Sequence, residues 1–183
     1  MGASWSSSFT AELAATRIGA TYNQYANSEM LRARLRAYLD ARANAETILV
    51  GEAAGYRGAR VSGVPFTSER QLTGGGPAEA SATIVHRVLR ELGVEDDVLL
   101  WNVVPTHPGT AWSNRAPTRA EVEASRPFLD ELTRGRRIVA VGRLAAAVLA
   151  APYVRHPSYG GAGAFAAGLR YHFGPADACP PFL

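Results

Sequence analysis

Lysine is missing altogether and cysteine nearly so: all 19 basic residues of the 183-residue chain are arginine, and the one thiol is Cys179. A single cysteine forms neither a disulfide within the chain nor a cysteine-ligated metal cluster. Without lysine the only amine left is the N-terminal one, which excludes Schiff-base chemistry through a side chain. No apolar run approaches the roughly 18 residues that span a bilayer, and the serine-rich start carries no basic leader. We therefore expect a cytoplasmic monomer with no membrane contact and no cofactor. Charge of one sign is also scarce, the formal net being +3, which is too little to single out a partner. Arginine does suit forked contacts to phosphate, but abundant Ala, Gly and Arg equally match a high-GC bacterial genome.

What is present reads as one domain over residues 1–183, with 1–8 and 175–183 as flexible ends. A chain of this length buries roughly 70% of its unfolded surface and has a core of its own. Apolar residues recur at helical spacing over Thr10 to Ile18 and over Ser28 to Ala43. In the second of these Leu31, Leu35, Tyr38 and Leu39 form the stripe, Ser28 the N-cap, and Arg32, Arg34, Arg36 and Arg42 the solvated face. Thr47 to Val50 is apolar enough to be a central parallel strand, buried on both faces. Beyond Gly74-Gly75-Gly76, Pro77 is placed to open a helix that runs to Leu92 and stops at Gly93. Strand Val98 to Val104 follows, then a loop from Pro105 to Pro117. Helix Thr118 to Thr133 has a capping box in Thr118 and Glu121. Strand Ile138 to Val141, helix Leu144 to Leu149, strand Tyr153-Val154 and helix Ala162 to Leu169 complete the order. Such alternation specifies an α/β fold: three layers, α/β/α, around a central four-stranded, mainly parallel sheet.

Ligands of open α/β sheets bind beyond the carboxyl ends of the strands. Three strand ends here carry chemistry. The first opens into Gly51 to Glu69, GEAAGYRGARVSGVPFTSE, a stretch long for a plain connector and holding two carboxylates and one phenylalanine before any helix. The second delivers Asn102. The third runs into His156-Pro157-Ser158-Tyr159-Gly160-Gly161. A carboxylate, an amide and an imidazole thus meet at one edge of the sheet. His86 is read as an exposed or core-edge residue, and His107 and Trp112 either line the site or pack the loop.

Those three motifs, in that order, resemble the uracil-DNA glycosylase superfamily over roughly Ile48 to Phe173. Gly51-Glu52-Ala53-Ala54-Gly55 is similar to the G-E-A-P-G of the family 4 enzymes. Ser62-Gly63-Val64-Pro65-Phe66-Thr67-Ser68-Glu69 is similar to the T-G-R-x-F-T-G-D of family 5. Both families hold an iron–sulfur cluster on four cysteines, a feature that a chain with one cysteine cannot share. The resemblance implies a DNA repair enzyme that flips uracil from DNA and hydrolyses its N-glycosidic bond. The alternative is a nucleic-acid or nucleotide-binding module that keeps the pocket without the chemistry.

Breaking that bond creates a sugar cation and a base anion, so negative charge belongs near the sugar and hydrogen-bond donors at the base oxygen. By resemblance Glu52 is the first candidate for the carboxylate that orients water, and Glu69 the second, where family 5 has its Asp. His156 would donate from neutral imidazole to the base oxygen, Asn102 would read the Watson–Crick edge, and Phe66 would stack on the extruded base. Ser158 and the amides of Gly160 and Gly161 would hold a phosphate, and Tyr159 would wedge into the duplex. In family 1 a Tyr at the position of Gly55 excludes thymine. Its absence predicts an open space, with Tyr56 the nearest substitute, and a range that reaches deaminated purines while uracil stays preferred.

Overall fold

In the computed structural model, which describes residues 4–174, the sheet forms as the apolar runs require. Strands β1 (Thr47–Ala53), β2 (Val98–Val104), β5 (Arg137–Val141) and β6 (Tyr153–Val154) pair in the order β2-β1-β5-β6. Every pairing is parallel, and helices flank the sheet in the expected α/β arrangement. β1 lies between two neighbours, which is why Ile48, Leu49 and Val50 are fully buried. Edge strand β2 is buried as well, and Tyr38 of helix α2 (Glu29–Ala41) reaches its open side. The Tyr38 hydroxyl accepts from the Leu100 N–H at 2.6 Å and reaches the Leu100 carbonyl at 3.3 Å, satisfying edge groups that no strand pairs.

The N-terminus departs from expectation. Residues up to Ser8 were predicted to be a flexible end, yet helix α1 (Trp5–Ala15) starts four residues after a Met and is capped by Ser4, whose side chain accepts from the Ser7 N–H. Phe9 draws this turn inward, meeting Trp101 and Phe128 edge-on at 5.6 and 5.5 Å, and Ser6 is buried with it. The helix stops at Ala15 rather than Ile18, since Thr16 is extended. Ser28 caps α2 as predicted, accepting from Leu31 N–H at 3.3 Å. The α2 arginines are not a plain solvated face: Arg32 and Arg36 hold Glu29, Arg42 holds Asp96, and Arg34 forks onto Glu69. The predicted flexible end at 175–183, with Cys179, lies outside the described residues.

After β1 the chain is less of a loop than expected. It contains the short helix α3 (Ala59–Ser62), and helix α4 (Glu69–Thr73) begins at a capping box between Ser68 and Gln71. Helix α5 (Ala80–Glu91) starts later than predicted, with Glu79 rather than a residue before Pro77 as its N-cap. Pro77 does not open it; the Pro77 carbonyl instead accepts from Arg70 N–H and folds the glycine hinge back on α4. Between β2 and helix α6 (Arg119–Thr133) the expected loop contains a small hairpin, β3 (Gly109–Thr110) with β4 (Ser113–Asn114). Helices α7 (Arg143–Leu149) and α8 (Ala162–Phe173) complete the fold.

The capping box of α6 does more than start a helix. Glu121 accepts from the Thr118 and Ala20 N–H groups and from both Arg115 nitrogens. It is 1% exposed, and the Arg115 guanidinium beside it holds its carboxyl down to about 2. A depressed carboxylate contributes stability above its ordinary range that is lost as pH falls toward the native value. Glu121→Gln is therefore expected to cost about 2 kcal/mol at pH 7, the range for hydrogen bonds to a charged group, and to flatten the stability curve between pH 4.5 and 2, measured by urea unfolding across that window. An unchanged pH slope would refute the assignment.

Candidate active site

The carboxyl ends of β1, β2, β5 and β6 surround a cavity of about 460 Å3. Register sets its floor: Gly51 of β1 is level with Asn102 of β2, and Asn102 is buried. Glycine at 51 is required by packing, because a Cβ there would lie 2.3 Å from the Phe66 ring and 3.0 Å from Asn102 Oδ1. The Phe66 ring edge therefore rests on the β1 backbone beside the Asn102 amide. Phe66 adopts φ 52°, a left-handed backbone that costs a bulky residue on the order of 1–3 kcal/mol and persists only where the surroundings impose it. Tyr159, on the rim of the same cavity, has φ 51° and is 98% exposed.

His156 follows β6 and faces Gly142 at the end of β5. Its Nδ1 accepts from the Ser158 N–H at 3.2 Å and lies 2.7 Å from Ser158 Oγ. A backbone N–H can only donate, so the neutral ring carries its proton on Nε2. Burial, with the Arg155 charge next to it, lowers the His156 pKa and keeps the ring neutral. The result is a fixed Nε2–H with no partner among the described residues, in a cavity with Glu52.

Glu52 ends β1 and lines that cavity. The residue as a whole is exposed, but the cavity walls desolvate its carboxyl and raise its pKa. No side chain among the described residues pairs with it. A carboxylate so placed is available to a water or a cation.

The structure sorts the remaining candidates. Glu69 does not reach the cavity: Arg34 takes both its oxygens at 2.8 and 3.0 Å, a brace between α2 and α4. Ser158, expected on a phosphate, orients His156 instead. The Gly161 N–H is consumed by the Ser158 carbonyl at 3.0 Å, which removes one expected phosphate donor. Tyr56 stays off the wall, its N–H held by Asn114 Oδ1 at 2.9 Å. His107 is buried packing, with ring nitrogens 2.8 Å from the Ala54 carbonyl and 2.7 Å from that of Thr110. Trp112 stands 85% exposed at the hairpin tip. His86 braces Thr67 to Glu95 at 3.0 and 2.8 Å.

Sequence reasoning missed Arg143, Asn114, Arg115 and Glu79, which also line the cavity. Glu79 corrects the expected open space at Gly55. A Cβ on Gly55 would meet Glu79 Oε1 at 2.0 Å, so the volume is already filled. No local pattern marked it, since a carboxylate just before a helix reads as N-terminal charge.

A parallel sheet thus brings a carboxylate, an amide and an imidazole around one cavity at its carboxyl edge. The family model of the Uracil DNA glycosylase superfamily matches residues 38–171, and the chain belongs to that superfamily. Its fold is similar to the crystal structure of wild-type SMUG2 from Pedobacter heparinus, with TM-score 0.63 and 14% identity over 91% of this chain and 94% of that one. No curated protein matches the chain.

Proposed function

We propose that the protein is a cofactor-free, monofunctional DNA glycosylase that flips uracil from DNA and hydrolyses its N-glycosidic bond, leaving an abasic site. The observation that carries this reading is the fixed neutral tautomer of His156 in one cavity with the unpartnered carboxylate of Glu52. As the bond stretches, charge builds on the departing base, and an Nε2–H already aimed by Ser158 stabilises it without reorganisation. Glu52 balances the sugar cation and takes the proton of the attacking water, a task for which a raised pKa suits a carboxylate. Asn102 offers paired donor and acceptor groups to the Watson–Crick edge, and Phe66 a face for stacking.

Charge supports DNA as the ligand. Arg143 and Arg155 make no ion pair among the described residues, a state they share with Arg17, Arg57, Arg60, Arg70, Arg134, Arg136 and Arg137, whereas Arg32, Arg34, Arg36, Arg42, Arg87, Arg90, Arg115, Arg119, Arg126 and Arg170 are each paired with an acid. Arg143 lines the cavity and Arg155 sits beside His156. Guanidinium groups without an acid partner, Arg143 on the cavity wall and Arg155 in the loop that carries His156, suit phosphates beside a flipped nucleotide.

A duplex with one deoxyuridine, incubated with the protein and then treated with alkali, tests the reading. The expected product is an intact abasic strand that breaks only in alkali, because a chain without lysine lacks the side-chain amine for strand cleavage. A borohydride-stable protein–DNA adduct would contradict that. Binding without base release would favour a module that has the pocket and not the chemistry.

A further inference from the structure

Among the described residues the partly shielded carboxylates are braces, with two exceptions. Glu69 is forked onto Arg34, Glu95 lies against His86 and Arg90, and Glu121 binds Arg115. Glu52 and Glu79 have no hydrogen-bonding or ionic partner among the described residues for their side chains, and both line the cavity. Burial pushes the pKa of each upward. A structural carboxylate would have recruited an arginine or a backbone amide, as the other three do; Glu79 instead lines the cavity.

Its seat is specific. The turn from Gly55 to Gly58 is closed by the Gly58 N–H on the Gly55 carbonyl at 3.1 Å. The Glu79 carboxyl lies flat on that turn, so a Cβ on Gly55 would be 2.0 Å from Oε1 and one on Gly58 would be 2.1 Å from Oε2. The two glycines leave a cradle that the turn cannot fill for itself, and α5 supplies the filling group from its N-cap.

The orientation of a bound pyrimidine follows from the roles above, and the inference rests on them. Asn102 takes the N3 and O4 edge, His156 takes O2, and N1 leads out to the sugar. The C5 edge is what remains, and the Gly55 turn with Glu79 on it is among the cavity walls that these contacts leave free. We propose that Glu79 is the specificity-determining residue of the pocket, closing it at the C5 edge against pyrimidines that carry a methyl group there. A methyl would compete with the carboxyl for volume and cost it hydration. A C5–H is small enough to cost it neither.

The test compares base release from duplexes bearing uracil or thymine opposite guanine, both mismatched so that extrusion does not set the difference. Glu79→Ser opens the space while keeping a good N-cap for α5, and Glu79→Asp opens it by one methylene. The ratio of thymine to uracil release is expected to rise at least tenfold in the serine protein, and in the same direction by less in the aspartate protein. A parallel arm records thermal shifts with free uracil and free thymine, which need no catalysis: wild type responds to uracil alone, Glu79→Ser to both. An unchanged ratio in proteins that release uracil overturns the role of Glu79 and leaves the site reading intact. So does a folded Glu79→Ser or Glu79→Asp protein that has lost uracil release, since the carboxyl then serves the chemistry. A wild-type protein that neither releases nor binds uracil overturns both.

Discussion

His156→Ala is expected to lower the single-turnover rate of uracil release by about 10² to 10³, the usual cost of one preorganised donor at a developing oxyanion. The ring has little else to do: among the described residues its partner is Ser158, two positions on. Duplex affinity should fall much less than the rate, because phosphate contacts carry most of it. Release within fivefold of wild type would remove His156 from the mechanism. The pH profile adds a second check. Because burial and Arg155 lower the His156 pKa, the neutral, donating form persists throughout the range above 6.5, and this residue should impose no change in rate there. Its stabilising contribution has the same sign: it is present above the ordinary histidine value and lost as pH falls through the depressed native one. Ser158→Ala frees Nδ1 from its hydroxyl but keeps the backbone N–H, so it should cost far less than His156→Ala.

What could be read from the sequence was what local chemistry decides. The apolar run at Ile48 to Val50 required a doubly covered strand, and Ser28 and Thr118 with Glu121 announced their caps at the right residues. Glu52, Asn102 and His156 were legible because each lies in or just past the carboxyl end of a strand, and parallel strands bring those ends together whatever the order of pairing. Glu69 against Glu79 was a different kind of question. Arg34 disposes of Glu69 from α2, and the Gly55 turn receives Glu79 from α5, contacts made between segments far apart in the chain. The same holds for the helical start at Ser4, which depends on Phe9 reaching Trp101 and Phe128. It holds too for the hairpin over Gly109 to Asn114, whose strands are too short to show alternation.

Glu52→Gln is expected to slow base release by about 10² to 10⁴, the range over which a positioned general base contributes. Glutamine keeps the shape and a hydrogen bond to water, but it neither accepts the water's proton nor balances the sugar cation. The wild-type rate should rise with pH as Glu52 ionises, in a window lying above the ordinary carboxylate value of 4.5 because the cavity walls raise its pKa. That acidic limb should vanish in the glutamine protein, which a general loss of folding would not produce. Linkage gives the opposite sign for stability. A carboxyl whose native pKa is raised favours the folded state at low pH and loses that contribution as pH climbs through the native value. Ionised Glu52 is a charge in a place that disfavours it, and Glu52→Gln should melt at the same temperature or higher while being nearly inactive. Glu69→Gln should do the reverse, because it breaks the fork to Arg34 and leaves the cavity alone: a lower melting temperature with release close to wild type. If instead Glu69→Gln is the inactive protein and Glu52→Gln releases uracil normally, the two acids exchange roles and the site must rearrange when DNA binds.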